Sequence, residues 1–461
     1  MLERETSKKK GRLTSAQIIP LSFLIAIAIG TILLMLPIST AEGETTGLLT
    51  ALFTSTTSLC VTGLVVVDTY LHWSLFGKIV ILIMIQLGGL GIIAVTSILM
   101  LIIHRKFSLS QYVMIHDAFN LDSMDGLLKF LVGVFKGTFV VEGIGAAVYM
   151  IVFIPKFGAV NGIWYSVFTS ISAFCNAGID ILGPDSLISY NGNVLVLINT
   201  MFLIVMGGLG YVVWFDISKG VKDKFKKKYS FGTMIKRFSE HTKLVLSLTG
   251  VLILSGAVLV FILEYSNPDT IGDMSVGGKV INSIFQSVTF RTAGFAAVPQ
   301  QCLTEGTATI GLLYMFIGGS PVGTAGGVKT VTLFLVILNG VSFIRNRKEV
   351  VVFKRRVSNE MMQKAAAILM VSFFVTFIFL ILLLFTNDFG LMDASYEIFS
   401  ATATVGLSRA VTPMLNRFGK VIIIVAMYLG RIGPISMALF FNYRGMERNN
   451  ISYAEGRYFV G

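Results

Sequence analysis

The sequence predicts an all-α integral membrane protein of four repeats, each with a helix, a short re-entrant segment and a second helix, and eight transmembrane helices in total. Three observations support this fold class. The 461 residues are 54% hydrophobic and only 13% charged, with a mean hydropathy of +0.79. Eight apolar stretches are long enough to span a bilayer, and a glycine pattern recurs four times. No soluble domain requires so much apolar surface.

The apolar stretches are predicted to be transmembrane helices, because about 20 apolar residues cross the hydrocarbon core. In chain order they are residues 17–38, 79–103, 130–154, 193–215, 244–263, 308–344, 365–386 and 420–442. The sixth is overlong and contains GGSPVGTAGGVKT, which predicts a broken helix. Shorter semi-apolar segments separate the two spans of each pair. Two of them, 280–290 and 394–408, are clearly too short to cross.

Charged residues indicate which connections face the cytoplasm. The net charge is +12, from 37 Lys and Arg against 25 Asp and Glu. The basic residues cluster after the second, fourth and sixth spans and near both termini, whereas acidic residues occupy the other connections. The positive-inside rule therefore predicts cytoplasmic termini and short segments that enter from outside. This distribution explains the basic balance without nucleic acid as a partner.

A fourfold repeat is the strongest pattern in the sequence. Each short segment ends at a glycine, in VTGL, NAGI, TAGF or TVGL, and a second glycine landmark follows 24 to 29 residues later. The repeats are predicted at 1–106 with an N-terminal cytoplasmic tail, 107–228, 229–350 and 351–461 with a C-terminal tail. All four share one orientation, so they can surround a central pore. The glycine pairs are Gly63 with Gly88, Gly178 with Gly207, Gly294 with Gly318, and Gly406 with Gly430.

The re-entrant segments are predicted to bind a cation through their backbone. A short helix entering from outside directs its carboxyl end, with roughly half a negative charge, toward the membrane centre. Glycine lets the chain turn back, and adjacent carbonyl groups can replace the water around an ion. Close helix packing is the alternative for one glycine but explains four in register less well. The candidate carbonyl donors are Val61, Thr62, Gly63, Asn176, Ala177, Gly178, Thr292, Ala293, Gly294, Thr404, Val405 and Gly406.

These features resemble the Trk/Ktr/HKT superfamily of potassium transporters over nearly the whole chain. The likeness to KtrB-type membrane subunits rests on GGSPVGTAGGVKT and YLGRIGP. The resemblance implies potassium uptake across a bacterial cell membrane, and glycine at all four filter positions implies preference for K+ over Na+. It also implies a homodimer on a cytosolic ring of nucleotide-binding regulatory subunits (KtrA-like), with Na+ as an activator of many relatives and no covalent cofactor.

The interruption in the sixth span is interpreted as an intramembrane gate loop beneath the filter, a role that the resemblance implies. Proline removes a backbone hydrogen bond and glycine lowers helix stability, so a flexible loop is expected; a packing kink is the alternative. A nucleotide-binding P-loop does not fit, because valine rather than glycine precedes the lysine. The gate residues are Gly318, Gly319, Pro321, Gly323, Gly326, Gly327 and Lys329.

Two charged residues fall inside predicted spans. Arg431 lies in the eighth span, where a guanidinium group is costly, and we expect it to face the pore and limit cation occupancy. An ion pair or hydrogen bonds to carbonyl groups are alternatives, and these roles are compatible. Glu142 lies in the third span, where a structural role is favoured over a proton relay.

The cytoplasmic segments 108–126 and 349–364 are predicted to be surface helices or docking loops for a regulatory protein or anionic membrane lipid; a solvated loop is the alternative. A second functional class is an ion-coupled carrier that works by alternating access. Repeats of one orientation and the lack of a polar midplane pocket argue against it. An enzyme is not expected, because the sequence has no HExxH motif and no Ser/His pair.

Overall fold

The computed structural model describes residues 15–92, 94, 95, 97, 127–228, 230–347 and 349–433. Within these residues the fold is almost entirely helical. The α-helices are α1 (Ser15–Met35), α2 (Leu48–Leu59), α3 (Thr69–His72), α4 (Leu75–Leu90), α5 (Leu127–Phe157), α6 (Ala159–Phe174), α7 (Val194–Gly208), α8 (Tyr211–Lys227), α9 (Phe231–Arg237), α10 (Glu240–Glu264), α11 (Val276–Thr289), α12 (Glu305–Phe316), α13 (Thr330–Ile344), α14 (Asn359–Thr386), α15 (Leu391–Thr402) and α16 (Arg417–Ile432). Short 3-10 helices occupy Pro37–Ser39, Ile188–Tyr190, Gln300–Cys302 and Thr412–Met414.

The first helix of each predicted repeat can cross a membrane by length and composition. Among the described residues, four helices meet this criterion: Gln17–Met35 in α1, Lys129–Phe157 in α5, Glu240–Glu264 in α10 and Asn359–Thr386 in α14. Large apolar side chains are exposed along them, among them Ile32, Ile151 and Phe385. Such outward apolar faces are stable in lipid and unfavourable in water. The chain is therefore a multi-pass membrane protein.

The second helix of each predicted repeat is shorter than the sequence analysis predicted. The prediction of one helix over 193–215 is wrong, because α7 and α8 meet at an angle of 102°. Gly210, with a φ of 90°, lies at this bend. The sixth span is broken as predicted, into α12 and α13, with a loop at 317–329 between them. The far ends of the predicted spans 79–103 and 420–442 lie mostly outside the described residues.

These second helices begin at side chains that satisfy their first free N–H groups. Ser, Thr and Asn are favoured at this position because their side-chain oxygen accepts from an N–H in the first turn. Each helix therefore has a defined start at the residue that caps it. The caps are Ser74 on Gly77, Asn193 on Val196, Thr304 on Thr307 and Asn416 on Gly419, with distances of 3.2, 3.2, 3.3 and 2.8 Å.

The four short helices α2, α6, α11 and α15 fill the interior. Helix α11 starts at Val276, before the predicted segment 280–290, because Lys279 is not a boundary. The Nζ of Lys279 donates to the carbonyl oxygen of Tyr265 at 2.7 Å, so this charged side chain has a hydrogen-bond partner although it lies within the helix. Helix α15 ends at Thr402, earlier than the predicted 394–408, because the chain turns there into the fourth glycine loop.

Contacts between the predicted repeats close into a ring. The second helix of each packs against the short helix of the next: α4 on α6, α7 on α11, α12 on α15, and α16 back on α2. Along the short helices the buried faces carry many hydroxyl side chains, and five consecutive residues from Thr54 to Ser58 are buried. Polar side chains are thus buried along the short helices within an otherwise hydrophobic core, while apolar side chains face outward.

The segment 349–364, predicted to be a surface helix or docking loop, contains a β-hairpin ahead of a helix. Strands β1 (Val351–Val352) and β2 (Arg355–Arg356) pair in antiparallel register. The two residues between them, Phe353 and Lys354, have φ values of 46° and 69°, as a tight hairpin turn of this hand requires. Helix α14 then starts at Asn359. The other predicted docking segment, 108–126, lies outside the described residues.

Candidate functional site

Each of the four short helices leads into the same backbone turn. The glycine that ends each candidate triplet has a φ between 65° and 99°. The middle residue of each triplet has a negative φ. The first residues are also left-handed: Val61 at 54°, Asn176 at 59°, Thr292 at 64° and Thr404 at 51°. A non-glycine residue in such a conformation costs about 1–3 kcal/mol and persists only where its surroundings impose it. Four equivalent cases point to a shared requirement.

Backbone hydrogen bonds orient the carbonyl groups of these turns. The N–H of each middle residue donates back to its own short helix. Across a trans peptide the N–H and C=O point in opposite directions, and no cis peptide occurs among the described residues. The first carbonyl of each triplet therefore points away from its helix. The pairs are Thr62 with Thr57 at 2.9 Å, Ala177 with Ser172 at 2.8 Å, Ala293 with Thr289 at 3.1 Å and Val405 with Ser400 at 2.8 Å.

Buried hydroxyl groups of the short helices hold the turns, and the sequence analysis missed them. Two accept from a filter glycine N–H, Thr57 from Gly63 and Ser400 from Gly406, both at 3.0 Å. Two donate to the carbonyl after the glycine, Ser172 to Ile179 at 2.5 Å and Thr289 to Phe295 at 2.6 Å. The available signal was a hydroxyl residue five or six positions before each glycine.

The four filter glycines lie against one another in cyclic order. A Cβ atom on each would contact the middle carbonyl oxygen of the next loop, and the fourth loop would contact the first. A side chain at any of these positions would therefore enter the space between the loops. The contacts are Gly63 on Ala177, Gly178 on Ala293 at 2.7 Å, Gly294 on Val405 at 2.7 Å, and Gly406 on Thr62.

The chemistry at this convergence is that of neutral oxygen atoms. All eight non-glycine triplet residues are at most 1% exposed, and none is charged. In the described part of the chain, no group of three His, Cys, Asp or Glu side chains is placed to hold a metal ion. The carboxyl ends of four helices add partial negative charge. Such a ring of carbonyl oxygens can replace the hydration shell of a monovalent cation.

Three landmark glycines let a second helix pack directly on the end of a short helix. A Cβ on Gly88, Gly207 or Gly430 would overlap the carbonyl oxygen four residues before a filter glycine. In the third predicted repeat, Gly318 instead contacts Gly326, so the 317–329 loop takes this place. The carbonyl groups concerned are those of Leu59, Phe174 and Thr402.

The 317–329 loop lies against the second and fourth candidate triplets. The hydroxyl of Thr324 is 3.1 Å from the carbonyl oxygen of Phe174 and 3.2 Å from Oδ1 of Asn176. A Cβ on Gly326 would contact the side chain of Thr404. Between them these contacts join the loop to the second and fourth triplets.

Backbone hydrogen bonds fasten the same loop to the end of α7 and to its own stem. The bonds to α7 and its bend are Ser320 N to Gly208 O at 2.9 Å, Thr324 N to Gly207 O at 3.1 Å and Tyr211 N to Val322 O at 3.0 Å. Among the predicted gate residues, a Cβ added to Gly319 or Gly323 would lie 3.1 Å from Gly208 O, and one added to Gly210 would meet Pro321 O. Gly327 has a φ of 66°, and Lys329 Nζ donates to Ala325 O at 2.6 Å. The loop is thus held in place by hydrogen bonds along its length, most of them between backbone groups.

Arg431 connects this loop to the first predicted repeat. Its Nη1 donates to Thr324 O at 2.6 Å, and its Nη2 donates to Gly88 O at 2.5 Å. The hydrogen bonds to carbonyl groups considered in the sequence analysis are therefore present. They hold the guanidinium group beside the loop, and its effect on ions remains a prediction.

Glu142 lies behind the second filter loop. Its carboxylate accepts two bonds from Gln86 Nε2, at 3.1 and 3.3 Å, and is 4.0 Å from the Cys175 sulfur. Its backbone carbonyl accepts from Ser170 at 2.7 Å. These contacts tie α4, α5 and α6 together just before Asn176, an arrangement that suits a structural role.

Comparisons with known proteins give a consistent result. The family model TrkH, described as a cation transport protein, matches residues 2–451. The chain is 37% identical over 462 residues to the Ktr system potassium uptake protein B of Bacillus subtilis, covering 100% of both chains. It is 34% identical over 430 residues to the potassium/sodium uptake protein NtpJ of Enterococcus hirae, covering 92% of each.

A solved structure with a similar fold is that of the potassium transporter TrkH from Vibrio parahaemolyticus. The TM-score is 0.73 at 16% identity, over 95% of this chain and 86% of the other. At that identity the likeness concerns the fold.

Proposed function

This chain belongs to the TrkH family of cation transport proteins, and from that premise we propose that it is a potassium-selective subunit for K+ uptake across the cell membrane. The membership confirms the resemblance to the Trk/Ktr/HKT superfamily. The family and the named relatives are ion transporters, which agrees with the prediction that the chain is not an enzyme. Relatives named for potassium uptake support K+ as the transported ion.

The observation that carries the proposal is the cyclic contact between the four filter glycines and the carbonyl of the next loop. In the proposed mechanism, K+ enters from the outside, loses its hydration water and passes between the inward carbonyl groups of the four triplets. The hydrogen bonds from the short helices keep these oxygen atoms apart at fixed positions, so that a smaller Na+ ion is coordinated less well. The ring of helix contacts supports four repeats around one pore.

The proposed gate is the 317–329 loop. It lies under two filter triplets, so an ion that leaves the filter toward the cytoplasm meets it first. Arg431 stabilises this position through Thr324 and adds a positive charge that opposes cations. Displacement of the loop would open the path, and its glycine-rich backbone suits such a change.

The proposal includes control from the cytoplasm. A homodimer on a nucleotide-binding KtrA-like ring, activation by Na+, contact with membrane lipid and cytoplasmic termini are part of it. Similarity to a protein of a Ktr system supports the partner ring, and the basic loops support the cytoplasmic termini. The exposed hairpin of β1 and β2 carries Arg355 and Arg356, which pair at the surface with Glu240 and Glu349.

The proposal is tested by complementing potassium-uptake-deficient bacteria at low external K+. We expect growth with the natural chain. The Gly294→Ser variant should lose at least about tenfold in K+ over Na+ preference, equivalent to about 1.4 kcal/mol. The new side chain would meet Val405 O at 2.7 Å at a φ of +78°.

Gly277→Ser is the matched control, because Gly277 belongs to the same repeat and has nothing within 4 Å of its Cβ position. It should transport like the natural chain. A Gly294→Ser protein with natural K+ preference, or a natural chain that cannot restore growth when it is present in the membrane, would contradict the proposal.

A further inference from the structure

A small cavity lies between the second and third predicted repeats, beside the filter loops. Its volume is about 10 Å³, near the ~10–15 Å³ that holds one water-sized particle. Three polar residues line it: Asn176 of the second triplet, Thr249 of α10, and Arg291, which directly precedes the third triplet. Apolar side chains of α7 and α11, with Gly208 and Gly319, complete the wall.

Each of the three polar residues has a buried polar atom with no hydrogen-bond partner among the described residues. These atoms are Nδ2 of Asn176, Oγ1 of Thr249 and Nε of Arg291. The residues are 1%, 6% and 7% exposed, so bulk water does not reach them freely. Buried polar groups in native proteins are nearly always hydrogen-bonded. Three such groups around one cavity point to a ligand between them.

The charge of Arg291 points to the sign of that ligand. The described ion pairs do not include Arg291, whereas buried charges are normally paired. The carboxyl end of α11, which Arg291 follows, supplies roughly half a negative charge. The guanidinium charge is therefore only partly compensated, next to loops that are proposed to attract cations.

The hydrogen-bonding pattern favours a ligand that only accepts. Oδ1 of Asn176 already accepts from Thr324 at 3.2 Å, and Gly208 O accepts from Ser320 N at 2.9 Å. All three unpaired groups can donate, and Nδ2 of Asn176 and Nε of Arg291 can only donate, so the wall suits a ligand that accepts. The small volume favours a single-atom anion over sulfate, phosphate or a carboxylate.

We infer that this cavity binds one monovalent anion of halide size, which in the cell is chloride. The anion accepts from Arg291, Asn176 and Thr249 and cancels the positive charge behind the filter. It also joins the second and third filter loops through a common partner. The inference concerns anion binding and does not depend on K+ being the transported cation.

Bromide provides the test, because it replaces chloride and scatters anomalously. Crystals of the full chain in sodium bromide, without K+, should give an anomalous peak in the cavity beside Nε of Arg291, and excess chloride should remove it. A cavity without anomalous density, occupied by a neutral water molecule, would overturn the inference. The natural protein alone decides this outcome, so no variant needs to fold. A failure of K+ transport would leave the result unchanged.

Variants then assign the residues. Arg291→Gln should abolish the peak, whereas Arg417→Gln, the same change at an exposed position of α16, should keep it. Bromide affinity can be measured from the rise of the thermal unfolding midpoint with bromide concentration, with gluconate added to keep the ionic strength constant. Thr249→Val should weaken bromide binding about tenfold, and Thr249→Ser should not. Retention of the peak in Arg291→Gln, or equal affinity of the Val and Ser variants, would contradict the assignment.

Discussion

Replacing Arg431 by glutamine should increase cation flux, because it releases the 317–329 loop. The natural side chain donates to Thr324 O at 2.6 Å and to Gly88 O at 2.5 Å, and so ties the loop to a helix on the other side of the ring. Glutamine is shorter and carries both N–H donors on one nitrogen, so it does not span the two carbonyls that Nη1 and Nη2 of arginine reach separately. It also removes the positive charge that opposes cations.

The size of the effect follows from the bond that is lost. A hydrogen bond from a charged donor contributes about 1.5–3 kcal/mol. If it exists only while the loop is in place, its loss shifts the loop equilibrium about 10- to 150-fold, since 1.4 kcal/mol is a factor of ten. The initial uptake rate should rise until the filter itself limits it.

The assay is radioactive rubidium uptake into proteoliposomes that contain the purified chain without any partner. Arg417→Gln, on the same helix but exposed, is the control and should behave like the natural chain. Arg431→Lys keeps the charge but not the paired donors, so a rate like that of glutamine would assign the effect to the hydrogen bonds. An uptake curve for Arg431→Gln equal to that of the natural chain would refute the reasoning.

Two further predictions concern the support of the filter. Thr57→Val removes the acceptor for Gly63 N–H and leaves a buried donor unpaired, at a cost of about 1–3 kcal/mol. Rubidium uptake in competition with Na+ should then show weaker discrimination between the two ions, and Thr57→Ser should restore it. Equal discrimination in both variants would count against the role of this bond. Gly207→Ala places a Cβ on the carbonyl oxygen of Phe174, where backbone must move, so the thermal midpoint in detergent should fall by several degrees. Gly250→Ala, with nothing within 4 Å, should not lower it.

The sequence predicted the membrane class and the helix that opens each repeat, because the apolar length of a span is a local property. It also located the interruption of the sixth span, since proline and glycine act on the backbone where they stand. The prediction of one helix over 193–215 was wrong because it relied on hydropathy alone. Hydropathy continues through the bend at Gly210, and only the contact with the 317–329 loop at Val322 reveals the turn.

The candidate triplets were found from four glycines in register, and the structure brings those triplets together. The hydroxyl groups behind them were missed because Thr and Ser are common in any helix. Their role depends on a hydrogen bond to a turn that is itself defined by the fold. Arg431 was noticed for its cost in a membrane, but its partners lie 107 and 343 residues away.

By itself, the sequence determined where the first helix of each predicted repeat lies, where glycine permits a turn, and which loops are basic. These are properties of neighbouring residues, expressed by hydropathy and backbone freedom. Only the tertiary structure decided the cyclic order of the loops, the hydroxyl bonds behind them, the anchoring of the 317–329 loop and the cavity at Arg291. Each of these requires close packing between segments far apart in the chain, and the free energy of that packing depends on shape in three dimensions rather than on local sequence.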